Sequence, residues 1–301
     1  MVNINDNYEL FDDLNKSLEY ANNIKPFKVD NKIVINFFWR VPLEFGRKQV
    51  LPVISAIVNN YDLNKDNLEI NLWSNIDLSD NEYLKDIKRF INIKIWDPIE
   101  EIKGTFLEEN IEYYKSNIRY DDKNWIAGDF FRLLCLYKYG GFYFDMDVLV
   151  LRDLSPLNNI QFIYQWGTSG TTESEPNIFY NGAIMRLDKN STASKKLLIE
   201  TLNVPSSVST TWSSNIYSKI NDDKLCYLPC AWFNTEWARK DENSGFHPFQ
   251  KMDDISLYEG AFTWHWHNNW DKEIEYGSKF QIFEEMMYNK LNEILLSDNE
   301  R

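Results

Sequence analysis

The chain reads as an α/β protein, a mostly parallel sheet flanked by helices, and three observations predict this. Its first hundred or so residues alternate strand and helix patterns in a β-α-β-α-β order. A helical pattern from Trp125 to Tyr139 then runs through Gly140-Gly141 straight into a short aromatic strand, Phe142 to Phe144. The chain closes on an amphipathic helix, Lys279 to Leu296, with no internal repeat or low-complexity linker before it. That continuity predicts one domain over residues 1–301, with a helical segment at 1–30 and a closing loop and helix at 260–301.

The elements follow from periodicity. Leu10, Phe11, Leu14, Leu18 and Tyr20 recur at helical spacing within Tyr8 to Ile24. KIVINFFW (Lys32 to Trp39) reads as a buried first strand. Arg47 to Tyr61 sets Val50, Leu51, Ile54, Ile57 and Val58 on one helical face. LEINLW (Leu68 to Trp73) alternates as a second strand, a helix is expected near Glu82 to Phe90, and Ile91 to Trp96 is a third strand. A helical insertion is expected over Thr105 to Ser116. Gly140-Gly141 closes the Trp125 to Tyr139 helix as a glycine C-cap. Strands are expected at Phe162 to Trp166 and Ile178 to Leu187, a helix at Ser191 to Leu202, and a Ser/Thr-rich loop at Pro205 to Ser214.

Composition narrows the classes. The 301 residues are 44% hydrophobic and 16% aromatic, enough for a large core. No apolar run is long enough to span a bilayer, and the N-terminus lacks the basic-then-apolar pattern of a secretory signal. Cys135, Cys226 and Cys230 cannot all pair and have no zinc-ligand spacing, so free thiols in a reducing, cytoplasmic compartment are expected. A net charge of −14 argues against nucleic acid and anionic membrane as partners. An acidic chain that binds an anionic ligand needs local help, such as a divalent cation.

The chemistry concentrates at the glycine junction. Asp145 and Asp147 lie two apart, so on an extended strand both carboxylates face the same way and repel. Such a tripeptide is either a solvated acidic loop or a site for a hard divalent cation, which would also take phosphate oxygens. Asp129 and Arg132 sit one helical turn apart, as an ion pair or as a shared ligand-binding face. The tight glycine turn brings the start of that helix and the end of the strand into one neighbourhood.

The pattern Ala127-x-Asp129-x-x-Arg132 … Tyr139-Gly140-Gly141-x-Tyr143-x-Asp145-x-Asp147 resembles the DxD sugar-binding region of glycosyltransferase family 32. It is similar as well to the glucosylating domains of the large clostridial toxins. VINFFW resembles the family's first strand, usually I-H-x-I-W, with Asn36 in place of the histidine and Trp39 retained. WHWHNNW (Trp264 to Trp270) resembles the family's closing His-rich segment that ends in Trp.

The resemblance implies a GT-A fold, Rossmann-like with helical insertions, and a metal-dependent retaining transferase that uses a nucleotide sugar. Asp145 and Asp147 would hold Mn²⁺ or Mg²⁺ and, through it, the diphosphate. Asp129 and Arg132 would hold donor-sugar hydroxyls, with Asn181 near the sugar. Tyr143 would support the site and Trp39 would stack on the base. An imidazole or amide from His265, His267 or Asn268 would complete the metal shell, with Trp270 over the leaving diphosphate. The expected donor is a UDP-sugar carrying a hexose, and the acceptor a hydroxyl of a glycan. A toxin-like transferase acting on a protein side chain shares every donor-site residue. A non-catalytic nucleotide-sugar-binding module is the third reading, and a metal-dependent phosphohydrolase leaves Asp129, Arg132 and Trp270 without a role.

Overall fold

The computed structural model describes residues 9–40, 44–117, 126–169, 177–203, 216–217, 219–239, 248–251 and 258–299. The Pro205 to Ser214 loop and Trp125 lie outside them. The N-terminal helical segment is two helices, α1 (Glu9–Asp12) and α2 (Leu14–Asn23). Asp13 breaks them apart, because its carboxylate accepts from the backbone N–H groups of Asn15 and Lys16 and so caps α2.

Strands β1 (Ile33–Trp39), β2 (Leu68–Ser74), β3 (Ile91–Ile95) and β4 (Gly141–Phe144) run parallel in the spatial order β3-β2-β1-β4. Short β5 (Val148–Val150) leaves this sheet. Beyond β4 the sheet continues through β6 (Gln161–Ser169), β7 (Asn177–Leu187) and β8 (Leu225–Leu228), in the order β4-β7-β6-β8. Strand β7 is antiparallel to both β4 and β6, and β8 is parallel to β6. The sheet is thus mostly parallel, as the sequence predicts. Strand β9 (Thr263–His265) pairs antiparallel with β5 in a small second sheet.

Period-two alternation sends side chains into two helical layers. Ile33, Ile35, Phe37 and Trp39 of β1 join Phe142 and Phe144 of β4 in one core with α3 (Arg47–Asn64). The opposite core takes Phe38, Trp73 and Tyr143. It is covered by α4 (Pro98–Ile102), α5 (Ile111–Asn117), α6 (Ile126–Tyr139) and α7 (Thr192–Thr201). Helices α8 (Cys230–Phe233), α9 (Thr235–Arg239) and α10 (Lys279–Asn299) follow, and α10 packs along α3. Tyr20 of α2 stacks on Trp232 of α8 at 5.9 Å, and the Trp232 indole N–H donates to the Ser17 carbonyl.

Two expectations are corrected. Glu82 to Phe90 is not one helix but two 3₁₀ turns, Glu82–Leu84 and Lys88–Phe90. Within Thr105 to Ser116, a 3₁₀ turn at Glu108–Asn110 precedes α5. No helix among the described residues is long and apolar enough to cross a membrane.

The turn from α6 into β4 is the feature that places the site. Gly140 (φ 72°) donates its N–H to the Leu136 carbonyl, and Gly141 (φ 91°) keeps the chain in the left-handed region. A Cβ at Gly141 would lie 2.5 Å from the Val34 carbonyl oxygen, so β4 enters the sheet only as glycine. A buried amide ladder fastens this turn. Asn36, Asn71 and Asn92 are in register across β1, β2 and β3. Asn92 donates to Asn71 (3.1 Å) and Asn71 to Asn36 (3.2 Å). The Asn36 amide then donates to the carbonyls of Gly140 (3.2 Å) and Phe142 (3.1 Å), and its oxygen accepts from the Trp73 indole (3.1 Å).

Asn36→Leu would therefore strand the Trp73 N–H, take the side-chain donor from the Gly140 and Phe142 carbonyls, and leave the Asn71 amide nitrogen only its bond to Glu69. Urea unfolding is expected to show a loss of about 1–3 kcal/mol. A loss below about 0.5 kcal/mol would show that the ladder does not hold the turn.

Candidate active site

In an open α/β sheet, ligands bind outside the carboxyl ends of the strands, where the strand order reverses. Here the order reverses between β1 and β4, because β2 and β3 lie to one side of β1 and β4 to the other. Phe37 is the register partner of Phe144, so Trp39 at the end of β1 and Asp145 just past β4 both reach that crevice.

Because α6 doubles back through Gly140-Gly141, its first turns meet the end of β4. The Arg132 guanidinium lies 2.9 Å from Asp129 Oδ1 and 3.2 Å from Asp145 Oδ1. It also sits over the Tyr143 ring, 5.1 Å from its centroid. The Tyr143 hydroxyl donates to Asp145 Oδ1 at 2.5 Å. Tyr143 and Asp145 are two residues apart, so alternation puts both on the α6 side of the sheet.

Asp145 and Asp147 do not share an extended strand, contrary to expectation. They flank a turn between β4 and β5, with the Val148 N–H donating to the Asp145 carbonyl at 3.1 Å. The Asp145 N–H is fixed by the Ala183 carbonyl of β7 (2.8 Å). Asp147 is buried, with Oδ2 accepting from the Asn268 backbone N–H (2.6 Å) and 3.3 Å from His265 Nε2.

The carboxyls differ electrostatically. Burial raises the Asp145 pKa, with Arg132 opposing and the charge of Asp147 adding to the rise. Burial also acts to raise Asp147, but the His265 ring and the hydrogen bonds from His265 and Asn268 outweigh it and hold the group below its ordinary value. Burial pushes Asp129 up to about 6, Arg132 working against it and Asp145 with it.

The segment Trp264 to Trp270 splits in two. Trp264 and Trp266 are fully buried and His265 pairs in β9, so this half is scaffold. The His265 ring stacks on His267 at 3.9 Å, and His267 Nε2 meets the Asn234 amide at 2.9 Å. Burial, with His265 beside it, pushes His267 down to about 3, so it stays a neutral ring.

His267, Asn268 and Asn269 all have positive φ (51°, 64° and 58°). Three such residues in succession are strained and persist only where the surroundings over-determine them. Lys48 supplies much of that restraint. Its ammonium donates to the carbonyls of Asn269 (3.0 Å), Trp270 (3.1 Å) and Lys272, and lies 3.9 Å from the Phe249 ring centroid. Burial lowers its pKa. The Asn268 side-chain oxygen accepts from the Trp270 indole (3.1 Å), so it is the Asn268 main chain that reaches Asp147.

Trp270 and Trp39 meet edge to face at 5.1 Å and line a cavity of about 590 Å³ with Arg47, Lys48 and Tyr83. That is the size of a small-molecule site. Asn181, on β7, accepts the Ala183 N–H at 2.7 Å.

Among the described residues, no three His, Cys, Asp or Glu side chains form a ready metal cage. The donor set nonetheless fits a hard divalent cation. Two carboxylates that raise each other's energy meet at one turn, and His265 Nδ1 is a buried nitrogen without a partner among the described residues. Remaining ligands would come from the diphosphate.

Residues 47–165 match the family model of a glycosyltransferase sugar-binding region containing a DXD motif, and Asp145-Met146-Asp147 falls within that stretch. The chain thus carries a stretch that matches this sugar-binding region, with the motif at the end of β4 in a mostly parallel α/β sheet. No curated protein sequence matches it. Solved structures similar to it include PaToxG glycosyltransferase, 16% identical over 69% of this chain and 76% of that one, with a TM-score of 0.44. GlyE of Streptococcus pneumoniae TIGR4 is 14% identical over 89% of this chain, which spans 64% of GlyE, with a TM-score of 0.49. Mouse xyloside xylosyltransferase 1 is 12% identical over 82% of this chain and all of that one, with a TM-score of 0.47. These likenesses concern architecture, not substrate.

Tyr217, Gly182, Lys48 and Asn234 gather here unannounced by any motif. Gly182, beside Asn181, is the one with a signal in the sequence.

Asp129 generates a pH prediction. Between its ordinary 3.8 and about 6, the folded chain keeps a proton here that the unfolded chain has released. The stability from this group is complete below 3.8 and is lost as pH rises through about 6. The melting temperature of Asp129→Asn should therefore gain on the wild type from pH 4 to pH 7. Parallel curves would contradict the shift. Lys48→Met is expected to speed amide exchange across residues 267–272 while β1 stays protected. Unchanged exchange there would deny Lys48 its role in holding the strained turn.

Proposed function

We propose that the chain transfers a hexose from a UDP-sugar to a hydroxyl acceptor on a glycan, with retention at the anomeric carbon. The observation that supports this most is the chain of contacts Asp129–Arg132–Asp145 at the strand-order switch, with Asp147 one turn further on. Asp129 and Arg132 have the geometry to grip sugar hydroxyls, a carboxylate accepting and a guanidinium donating from one face. Tyr143 holds Asp145 by hydrogen bond. His265 and the Asn268 N–H keep Asp147 ionised and oriented. Mn²⁺ or Mg²⁺ held by Asp145 and Asp147, with His265 or Asn268 close by, would neutralise the charge that grows on the leaving diphosphate.

The cavity beside Trp39 suits the base, and Trp270 at its rim suits the diphosphate end. Asn181, the neighbour of Gly182 on β7, would lie near the sugar. The resemblance to a retaining family supports a same-face displacement assisted by the leaving group. One GT-A domain spans 1–301, and its three free cysteines suit the cytoplasm.

The test is a panel of nucleotide sugars with Mn²⁺, reading the nucleoside diphosphate released. One UDP-hexose should stand above the rest, and excess chelator should abolish its turnover. Release of diphosphate from no donor, or full activity in chelator, contradicts the reading. Arg132→Lys keeps the charge but loses the planar fork, so turnover should fall roughly 10- to 100-fold in a folded protein. Unchanged turnover would reduce Asp129 and Arg132 to a structural ion pair.

A further inference from the structure

Tyr217 belongs to none of the motifs, yet the fold brings it to the sugar-side residues. It is 1% exposed, and its hydroxyl proton has no acceptor among the described residues, its polar neighbour being the Arg132 guanidinium, which is itself a donor. A Cβ placed on Gly182 would fall 2.0 Å from that hydroxyl and 2.8 Å from Arg132 Nη1. The phenol and the guanidinium thus converge on the bare face of one glycine. Arg132 Nε is buried and unpartnered among the described residues as well.

Buried donors are nearly always paired, and buried tyrosine hydroxyls usually find an acceptor. Two orphan donors at one patch mark a place where acceptor oxygens arrive from outside the chain. Burial raises the Tyr217 pKa, Arg132 opposes, and Asp129 and Asp145 add to the rise. The phenol is therefore a neutral donor at any working pH. Gly182 has a matching role, since a methyl group there would collide with the hydroxyl itself and with the Arg132 guanidinium.

We propose that Tyr217 is a specificity-determining residue whose O–H, seated against Gly182, donates to one oxygen of the donor sugar. The assignment rests on the glycosyl-transfer reading of the Asp129–Arg132 site.

The experiment compares wild type and Tyr217→Phe on the best UDP-hexose and on each of its monodeoxy analogues, with Mn²⁺, as kcat/KM for UDP release. Calorimetry with UDP and Mn²⁺ and a melting curve accompany it. Tyr217→Phe should keep its melting temperature and UDP affinity and lose about tenfold on the full sugar. On one deoxy analogue alone, the difference between the two proteins should vanish. An equal loss on every analogue, or an equal loss of UDP affinity, overturns the assignment and leaves the transferase reading standing. Tyr217→Met is the second arm, because it removes the hydroxyl by a different shape change and adds nothing against Arg132. It should show the same single-position signature, and a uniform loss or none overturns the assignment if the Phe variant does not fold. A wild-type protein that releases UDP from no donor removes the transferase reading and this assignment with it.

Discussion

The buried guanidinium of Arg132, shared between Asp129 and Asp145, is the contact on which the rest of the site depends. A cation taken out of water is costly unless its partners hold it closely, and carboxylates crowded together repel unless a cation stands between them. Arg132 answers both demands on the α6 side. Asp147 is answered separately, by His265 and the Asn268 N–H. The residual repulsion between Asp145 and Asp147 is left at the turn between β4 and β5. A chain of net charge −14 does not attract an anion unaided, and at this turn a divalent cation would relieve both problems.

The scaffold works to hold these charges in place. Gly140-Gly141 folds α6 back on β4, and the Asn36–Asn71–Asn92 ladder ties that turn to three parallel strands. On the other side, β9 pairs with β5 and delivers His265 to Asp147. The left-handed run His267 to Asn269 aims a backbone N–H at the same carboxylate, and Lys48 pulls on three carbonyls to keep it so. Strain in the backbone is thus matched by a half-buried ammonium on α3, the helix that also lines the cavity beside Trp39.

The strands and long helices were legible because burial on two faces leaves continuous apolar runs such as KIVINFFW, and glycine pairs punctuate plainly. The Glu82 to Phe90 error has a physical source. Leu84, Ile87 and Phe90 recur every three residues, a spacing that 3₁₀ turns share with an α-helix. Asp145 and Asp147 were found by spacing, but the turn between them was not, since β5 begins one residue later with no glycine or proline to announce it. WHWHNNW looked like a closing loop because its composition is that of a ligand-binding segment. Half of it is core, because Trp264 and Trp266 pack inward while His265, on the other face, meets Asp147. Tyr217 was invisible. It is one tyrosine among 17, far along the chain from every motif, and only its approach to Gly182 reveals it.

The central claim is that Asp145 and Asp147 act as a pair on a cation that diphosphate also binds. Mn²⁺ titration followed by electron paramagnetic resonance measures this directly, since free Mn²⁺ gives the signal and bound Mn²⁺ loses it. The account predicts one Mn²⁺ per chain that binds more tightly when UDP is present. That site should disappear in Asp145→Asn and in Asp147→Asn while both variants stay folded. Mn²⁺ binding that ignores UDP, or that survives both substitutions, would contradict it.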